Sequence, residues 1–269
     1  MNVRDASELA HFAHGLADAA GAAILPWYRA LPGIDEKSSA LNFDPVTEAD
    51  RAGERAIRAL IGAKYPDHGL IGEEFGIANS DAEHVWVIDP IDGTKAFISG
   101  QPVWGTLIAR LYRGKAAFGL LDQPFLRERY WGDGTNSFGR RDGRVFSLRT
   151  RQCAQLGEAT IWASSSLARN PACHAAVERL GAKARMLVYG GDCFSLAMLA
   201  EGHIDIAIGW GGFEIYDIAA HIPIVAGAGG LVTALDGSDP LQADNMLAMG
   251  DPALLEPIFA ALSWPSRSP

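Results

Sequence analysis

Hydrophobic residues recur every three to four positions in two long stretches near the start of the chain. The first covers residues 9 to 27 and predicts an amphipathic helix, which the proline-glycine pair at Pro32 stops. The second follows Thr47 and predicts another helix, which ends before Tyr65. The chain is therefore expected to begin with two helices.

Shorter apolar runs, bounded by glycine, proline or charged residues, predict β-strands. In the first half of the chain these runs are residues 69–72, 85–88, 104–112, 115–121 and 128–132. In the second half, strands are predicted at 159–163, 184–189, 203–210 and 230–235, with helices at 172–180, 193–200 and 217–228. Strands and helices in both halves predict layered α and β structure in two parts, residues 1–147 and 148–269.

The predicted strand from Val85 to Ile88 ends in an unusual way, with Asp89 and Asp92 followed by Gly93 and Thr94. Two carboxylates at the edge of an apolar core require a nearby positive charge. If a helix begins after Asp92, its free N–H groups can bind an anion beside a cation. A plain turn with an aspartate N-cap is the structural alternative for this motif alone.

Acidic residues follow apolar runs or begin predicted helices in four stretches, 43–50, 71–76, 88–94 and 215–221. Each stretch by itself is typical of a solvated loop or a helix cap. Together they favour a Mg²⁺ site, because hard divalent cations bind carboxylate oxygens along with water and phosphate. The candidate ligands of the right type are Glu73, Asp89, Asp92 and Asp217.

The composition narrows the possible partners. Lys and Arg number 23 against 32 Asp and Glu, so the 269-residue chain carries a net charge of −9, which disfavours binding to nucleic acid or to anionic membranes. The three cysteines form no C-x-x-C pair, and neither a secretory signal nor a membrane span is indicated. A cytoplasmic protein is expected, and an acidic protein that handles an anion needs metal ions.

The order and spacing of the four acidic stretches resemble the inositol monophosphatase superfamily of magnesium-dependent phosphatases. The family motif D-x-V-T-x-x-D matches Asp44–Asp50, G-E-E matches Gly72–Glu74, and D-P-[IL]-D-G-T matches Asp89–Thr94. The late [WY]-D-x-A-A matches Tyr216–Ala220, and A-G-G follows at Ala228–Gly230. "DGTKAFISGQPVWGTLIA", "LLDQPFLRERYWG", "YGGDC" and "YDIAAHIPIVAGAGG" are most similar to the histidinol-phosphatase branch. "DGTKAF" alone also resembles the branch that acts on 3′-phosphoadenosine 5′-phosphate.

The resemblance implies an α/β (α+β) fold, a five-layered α-β-α-β-α sandwich of the inositol monophosphatase and fructose-1,6-bisphosphatase type. It also implies a homodimer with two or three Mg²⁺ ions in each active site. Glu73, Asp89 and the Ile91 carbonyl match the ligands of one metal. Asp89, Asp92 and Asp217 match those of a second.

Further roles are implied by the same resemblance. Thr94 with Glu73 matches the pair that orients the attacking water, and the amides of Gly93 and Thr94 match a phosphate site. Asp50 matches a carboxylate linked to a further metal or its waters. The residues expected to contact the substrate from these motifs are Asp92, Gly93, Thr94 and Asp217.

One position departs from the family pattern. Members commonly have a glutamate seven residues before the late aspartate, where this chain has Trp210, or Gly209 if the segment is aligned from the preceding strand. Either Glu214 from the rebuilt loop takes over the substrate contact, or the contact is missing. Asp192 is a second candidate for substrate binding, with a helix cap as its alternative role.

The sequence thus predicts a Mg²⁺-dependent phosphomonoesterase that hydrolyses histidinol phosphate, a small-molecule monoester, in histidine biosynthesis. The alternative within this class is an inositol monophosphatase or a broad phosphatase for small molecules, including 3′-phosphoadenosine 5′-phosphate. The alternative of another class is a catalytically weak, metal-binding regulatory protein. The intact motif residues favour the enzyme, and only the altered loop at 209–214 favours the regulatory protein.

Overall fold

The computed structural model of the chain describes residues 3–30, 34–36, 45–165 and 170–262. The helices within these residues are α1 (Val3–Ile24), α2 (Glu48–Lys64), α3 (Thr94–Ile98), α4 (Pro171–Gly181), α5 (Phe194–Ala200), α6 (Ile215–Ile218), α7 (His221–Gly227) and α8 (Leu255–Leu262). The first strands are β1 (Ile34–Glu36), β2 (Pro45–Thr47), β3 (Gly69–Gly72), β4 (Gly76–Ala78), β5 (His84–Asp92), β6 (Gly105–Tyr112), β7 (Lys115–Gln123), β8 (Glu128–Gly132), β9 (Ser137–Arg141) and β10 (Arg144–Ser147). The later strands are β11 (Thr160–Ala163), β12 (Met186–Tyr189), β13 (Ile206–Trp210), β14 (Leu231–Thr233) and β15 (Asn245–Met249).

The described strands form two large sheets and a small ribbon of β1 and β2. The larger sheet has the strand order β10-β9-β8-β7-β6-β5-β3-β4 and is antiparallel except between β3 and β5. The smaller sheet has the order β12-β11-β13-β15-β14, with β11 parallel to both of its neighbours. The larger sheet ends at residue 147 and the smaller begins at residue 160, but the predicted division into two parts at 147 remains a prediction.

Helices cover both faces of the larger sheet. On one face, Trp86 and Ile88 of β5 belong to the core formed with α1 and α2. On the other face, Val85 and Val87 of the same strand belong to the core formed with α5 and α7. This alternation follows from the two-residue period of a strand.

The smaller sheet lies on the far side of α5 and α7. Trp162 of β11 and Ala207 of β13 pack with Leu199 of α5 and Val225 of α7, and the outer face of the sheet packs against α4 and α8. The layers are therefore helices, sheet, helices, sheet, helices. The predicted α-β-α-β-α sandwich is confirmed. None of the helices in the described part of the chain is long and apolar enough to cross a membrane.

The predicted helix at 217–228 is two helices instead. α6 ends at Ile218, a turn follows at residues 219 and 220, and α7 begins at His221. Pro223 lies in the first turn of α7. Backbone N–H groups in the first turn have no acceptor within the helix, so a proline there, which lacks the N–H, breaks no helical hydrogen bond. The break places Asp217 in a short helix of its own.

Sequence reasoning also missed β15 and α8 near the C-terminus. β15 pairs with both β13 and β14 inside the smaller sheet. Its sequence, Asn-Met-Leu-Ala-Met, contains no β-branched or aromatic residue, so local propensity does not mark it as a strand. β15 forms a strand because it pairs with two neighbouring strands and is buried between the layers.

A close contact of backbones joins the larger sheet to the break between α6 and α7. A Cβ atom at Gly119 of β7 would overlap the carbonyl group of Ala220. Only glycine allows this approach, which sets the position of α6 against the sheet.

We therefore expect Gly119→Ala to lower the free energy of unfolding by at least about 2 kcal/mol, because backbone has to move to admit the methyl group. Gly62→Ala is the matched control, since Gly62 is an exposed residue of α2 with open space around its Cα. In a helix interior this exchange stabilises by about 0.5–1 kcal/mol. Urea unfolding of both variants checks the prediction. Equal changes in the free energy of unfolding, in the same direction, would contradict it.

A buried histidine begins α7. His221 is 2% exposed, and burial lowers its pKa to about 3. In the unfolded chain a histidine has a pKa of about 6.5, so the unfolded chain binds more protons as the pH falls below that value. The stability that the neutral ring contributes is complete above pH 6.5 and is lost as the pH falls toward 3.

The variant His221→Gln is expected to remove this part of the pH dependence. Between pH 8 and pH 5 the wild type should lose about 2 kcal/mol through His221 alone. The test is to measure the free energy of unfolding of both proteins at each pH, since the other titrating groups act equally in both. The same pH dependence in the variant and the wild type would show that His221 is not the cause.

Candidate active site

The end of β5 places Asp89 and Asp92 on one face of the larger sheet. Asp89 lies opposite Leu107 of β6 and Asp92 lies opposite Gly105, so three steps along β5 match two along β6. In a regular strand, residues three apart point to opposite faces. The extra residue is a β-bulge, and it returns Asp92 to the face that Asp89 occupies.

A third carboxylate comes from the middle layer of helices. Asp217 is in α6, and its Oδ2 accepts a hydrogen bond of 2.6 Å from the backbone N–H of Glu214. One carboxylate oxygen from each of Asp89, Asp92 and Asp217 lies within 4.8 Å of the others. The structure thus brings together the three residues predicted to bind one metal.

Electrostatic repulsion in this group is strong. Burial, followed by the charge of Glu73, raises the pKa of Asp89 well above its usual value. Burial and the nearby Asp192 raise the pKa of Asp92 to about 7, and burial and Asp92 raise the pKa of Asp217. Each carboxylate is thus held where its negative charge is unfavourable without a cation.

The donor atoms fit a hard divalent cation. Asp89 is 1% exposed, and its buried Oδ1 atom has no hydrogen-bond partner among the described residues. A buried carboxylate oxygen without a partner costs free energy unless something positive binds it. Closely spaced carboxylate oxygens are the ligands that Mg²⁺ prefers.

A second acidic group lies beside the first. Single carboxylate oxygens of Asp50, Glu73 and Glu74 lie within 4.8 Å of one another. Asp50 is on the buried face of α2, whereas Glu73 and Glu74 are in the turn between β3 and β4. Glu73, predicted to share a metal with Asp89, therefore has its closest carboxylate neighbours in the second group, although its charge still acts on Asp89.

The predicted anion site follows the two aspartates of β5. The helix expected after Asp92 is α3, with Gly93 as its N-cap at a φ of 84°. The first N–H groups of a helix lack helical partners, so those of α3 are available to an anion. The Thr94 hydroxyl donates to the Ile91 carbonyl at 3.1 Å, so these two predicted site groups are adjacent.

A loop from the second half of the chain closes against this helix. Gly190, Gly191 and Asp192 have positive φ angles of 91°, 95° and 40°. The next residue, Cys193, donates its backbone N–H to Asp92 Oδ2 at 2.8 Å. A Cβ atom on Gly93 would touch the Asp192 carboxyl group, so Asp192 lies directly beside the predicted anion site.

The loop that lacks the usual family glutamate has its own packing. A Cβ atom at Gly209 would overlap the ring of Phe213, and Trp210 is paired with Asn245 in the smaller sheet. Neither alignment leaves a carboxylate at that position. Glu214 is exposed at the start of α6, next to Asp217 in the fold as well as in the sequence.

The structure adds residues that sequence reasoning missed. Thr106 donates to the Pro90 carbonyl at 2.7 Å and so stabilises the bulge between the two aspartates. Glu54 of α2 is fully buried under the turn that carries Glu73. Glu54 precedes Arg58 by four residues, which is typical of an exposed helix pair, so the sequence holds no signal of its burial.

The four acidic stretches contain two further residues of interest, His221 and Asp44. His221 is buried in α7 and belongs to neither group. Asp44, the first aspartate of the D-x-V-T-x-x-D motif, lies outside the described residues.

Comparison with known proteins identifies relatives of this chain. The inositol monophosphatase family model matches residues 5–266. The chain is 38% identical to the Arabidopsis thaliana protein named bifunctional phosphatase IMPL2, chloroplastic, with 96% of this chain and 77% of that protein covered. It is 38% identical to a histidinol-phosphatase of Mycobacterium tuberculosis, with 73% of this chain and 76% of that protein covered. The structure of an inositol monophosphatase from Zymomonas mobilis aligns with a TM-score of 0.83 at 34% identity, covering 96% and 98% of the two chains.

Asp89→Asn tests whether the first acidic group binds metal. We expect the variant to lose the rise in melting temperature that Mg²⁺ causes, and to lose roughly a thousandfold or more in phosphate release, because a metal ligand is gone. Without metal it should be at least as stable as the wild type, since one repelling charge has been removed.

The control is Asp133→Asn. Asp133 Oδ1 accepts from the N–H groups of Thr135 and Asn136, and an asparagine oxygen can accept the same bonds. This variant should respond to Mg²⁺ like the wild type. An equal response of Asp89→Asn to Mg²⁺ would refute the site.

Proposed function

The chain belongs to the inositol monophosphatase family of metal-dependent phosphatases, and we propose that it hydrolyses histidinol phosphate to histidinol and phosphate with Mg²⁺. The observation that carries the chemistry is the group of Asp89, Asp92 and Asp217, in which a buried oxygen has no partner. The 38% identity to a histidinol-phosphatase supports the choice of substrate. The proposed setting is histidine biosynthesis in the cytoplasm.

The residues divide the work of hydrolysis between them. When bound, Mg²⁺ supplies positive charge that lowers the pKa of the attacking water and stabilises the leaving oxygen. We assign Glu73, Asp89, Asp92, Asp217 and the Ile91 carbonyl to holding it. In this assignment the proposed number of ions in each active site is two or three.

The water and the phosphate are positioned by neighbouring groups. Thr94 and Glu73 orient the water, the Glu73 carboxylate accepts its proton as the water oxygen attacks phosphorus, and Asp50 holds outer water molecules. The backbone N–H groups of Gly93 and Thr94 bind phosphate oxygens at the start of α3. The bond between phosphorus and the ester oxygen breaks, and that oxygen takes up a proton from water, so the products are histidinol and inorganic phosphate.

The proposed choice of substrate rests on the acids around this site. Histidinol phosphate carries an ammonium group close to its phosphate ester, and acids stabilise such a cation at short range. Asp192 lies beside Gly93, and Glu214 lies beside Asp217. These two residues are the candidates to bind the ammonium group, in place of the glutamate that is absent at Gly209 and Trp210.

A second candidate function is an inositol monophosphatase or a broad phosphatase for small molecules, including 3′-phosphoadenosine 5′-phosphate. The 34% identity to the Zymomonas mobilis inositol monophosphatase favours it, as does the relative named as bifunctional. A catalytically weak metal-binding regulator is the alternative of another class. The rebuilt loop around Gly209 is the feature that favours it.

We also propose that the protein is a homodimer. β12 is an edge strand of the smaller sheet, and Met186, Val188 and Tyr189 on it are 49%, 43% and 42% exposed. An edge strand with exposed apolar side chains is an unfavourable surface in a monomer and a favourable one in an interface.

The first test of the proposed function is phosphate release from histidinol phosphate, inositol 1-phosphate and 3′-phosphoadenosine 5′-phosphate, each with Mg²⁺ and with a chelator. We expect histidinol phosphate to be preferred by roughly a hundredfold in kcat/KM, which is about 2.7 kcal/mol of discrimination in the transition state. Comparable slow rates on all three substrates would contradict the assignment. Absence of Mg²⁺-dependent release from any of them would favour the regulatory protein.

A further inference from the structure

The turn that carries Glu73 is shaped by hydrogen bonds from outside the turn. Residues 73–75 connect β3 to β4. The N–H of Glu73 donates to the carbonyl of Ile88 at 3.3 Å, which ties the start of the turn to β5 one residue before Asp89. The next two N–H groups point toward α2.

Both of those N–H groups are bound by one buried carboxylate. Glu54 of α2 is 0% exposed. Its Oε2 accepts from the N–H of Glu74 at 2.7 Å, and its Oε1 accepts from the N–H of Phe75 at 3.2 Å. All three N–H groups of the turn therefore have acceptors, and two of them depend on Glu54.

Arg58 completes the arrangement one helical turn later. Its Nε donates to Glu54 Oε1 at 2.6 Å, and its Nη2 donates to the carbonyl of Gly76 at the start of β4. A Cβ atom at Gly72 would overlap the Glu54 carboxylate, so the carboxylate packs directly against the backbone of Gly72. α2 therefore binds two N–H groups of the turn and the carbonyl of Gly76, the residue that follows the turn.

We propose that Glu54 is a positioning residue for metal binding, which holds the turn 73–75 so that the Glu73 carboxylate faces the site at Asp89; this rests on the proposed role of Glu73 as a ligand. Glu54 belongs to neither of the close acidic groups of the described residues, so it acts through the backbone of the turn. Burying the charged carboxylate of Glu54 costs free energy, even with the partly exposed Arg58 as its partner. The specific effect of the pair here is to fix the turn.

The variant Glu54→Gln tests this inference. The amide nitrogen of glutamine is a donor, so one of the turn N–H groups loses its acceptor. We expect Mg²⁺ to bind at least about tenfold more weakly by calorimetric titration, equivalent to 1.4 kcal/mol. Hydrogen exchange of the amides of Glu74 and Phe75 should also become faster than in the wild type.

Two controls separate positioning from general loss of stability. Glu83→Gln breaks an exposed pair with Arg113, so it removes the same kind of contact away from the site. Ile57→Val removes a buried methyl group from the same helix as Glu54. Both variants should bind Mg²⁺ with the affinity of the wild type.

Wild-type Mg²⁺ affinity in a folded Glu54→Gln protein would overturn the proposal. If that variant does not fold, Arg58→Lys decides, since lysine lacks the fork that joins Glu54 to Gly76. Unchanged Mg²⁺ affinity in Arg58→Lys would then be the contrary result. Wild-type protein that binds Mg²⁺ but hydrolyses none of the substrates would contradict the proposed function alone, because the Mg²⁺ titrations still test Glu54.

Discussion

The repulsion among Asp89, Asp92 and Asp217 is the constraint on which the site depends. Three carboxylates are held with oxygens within 4.8 Å of one another, in surroundings that raise the pKa of each. In the described part of the chain, the charges that act most strongly on these three carboxylates are all negative. The stability of the rest of the sandwich holds the carboxylates together, and a divalent cation is the natural partner of such a group.

The layers of the fold explain how the rest of the molecule keeps these charges in place. β5 lies inside the larger sheet and α6 lies in the layer between the sheets. Packing on both sides therefore prevents these two elements from moving away from each other. The bulge in β5 turns Asp92 to the side of Asp89, and Thr106 binds the Pro90 carbonyl within it. The close approach of Gly119 to Ala220 sets α6 against the sheet. The acidic site is thus supported by the packing of the layers, by a close backbone contact and by the hydrogen bond of the Thr106 side chain.

A second support comes from α2, which serves both the core and the site. Its buried face includes Ile57 and Ile61 as well as the acidic residues Asp50 and Glu54. Asp50 belongs to the second acidic group, and Glu54 binds the turn that carries two more of its members. One helix can do both because its residues at a spacing of three and four lie on the same face.

Local patterns predicted many of the individual helices and strands, and the family resemblance implied their five-layered arrangement. The helix after Thr47 formed where periodicity placed it, and a helix does begin after Asp92. The strand predicted at 85–88 also formed, but it continues to Asp92. Local patterns failed where distant partners decided the outcome. β15 is a strand because it lies between β13 and β14, and the predicted helix after Asp217 is broken into two.

The sequence by itself determined the identity of the acids and the elements that carry them, because residue type, spacing and periodicity are local properties. Only the tertiary structure decided which acids meet. It grouped Asp89 with Asp217, 128 positions later in the numbering, and placed Glu73 with Asp50. It also buried Glu54. It packed the ring of Phe213 against Gly209, one of the two positions that align with the usual family glutamate. These outcomes depend on contacts between elements far apart along the chain, and no local pattern of residues encodes such contacts.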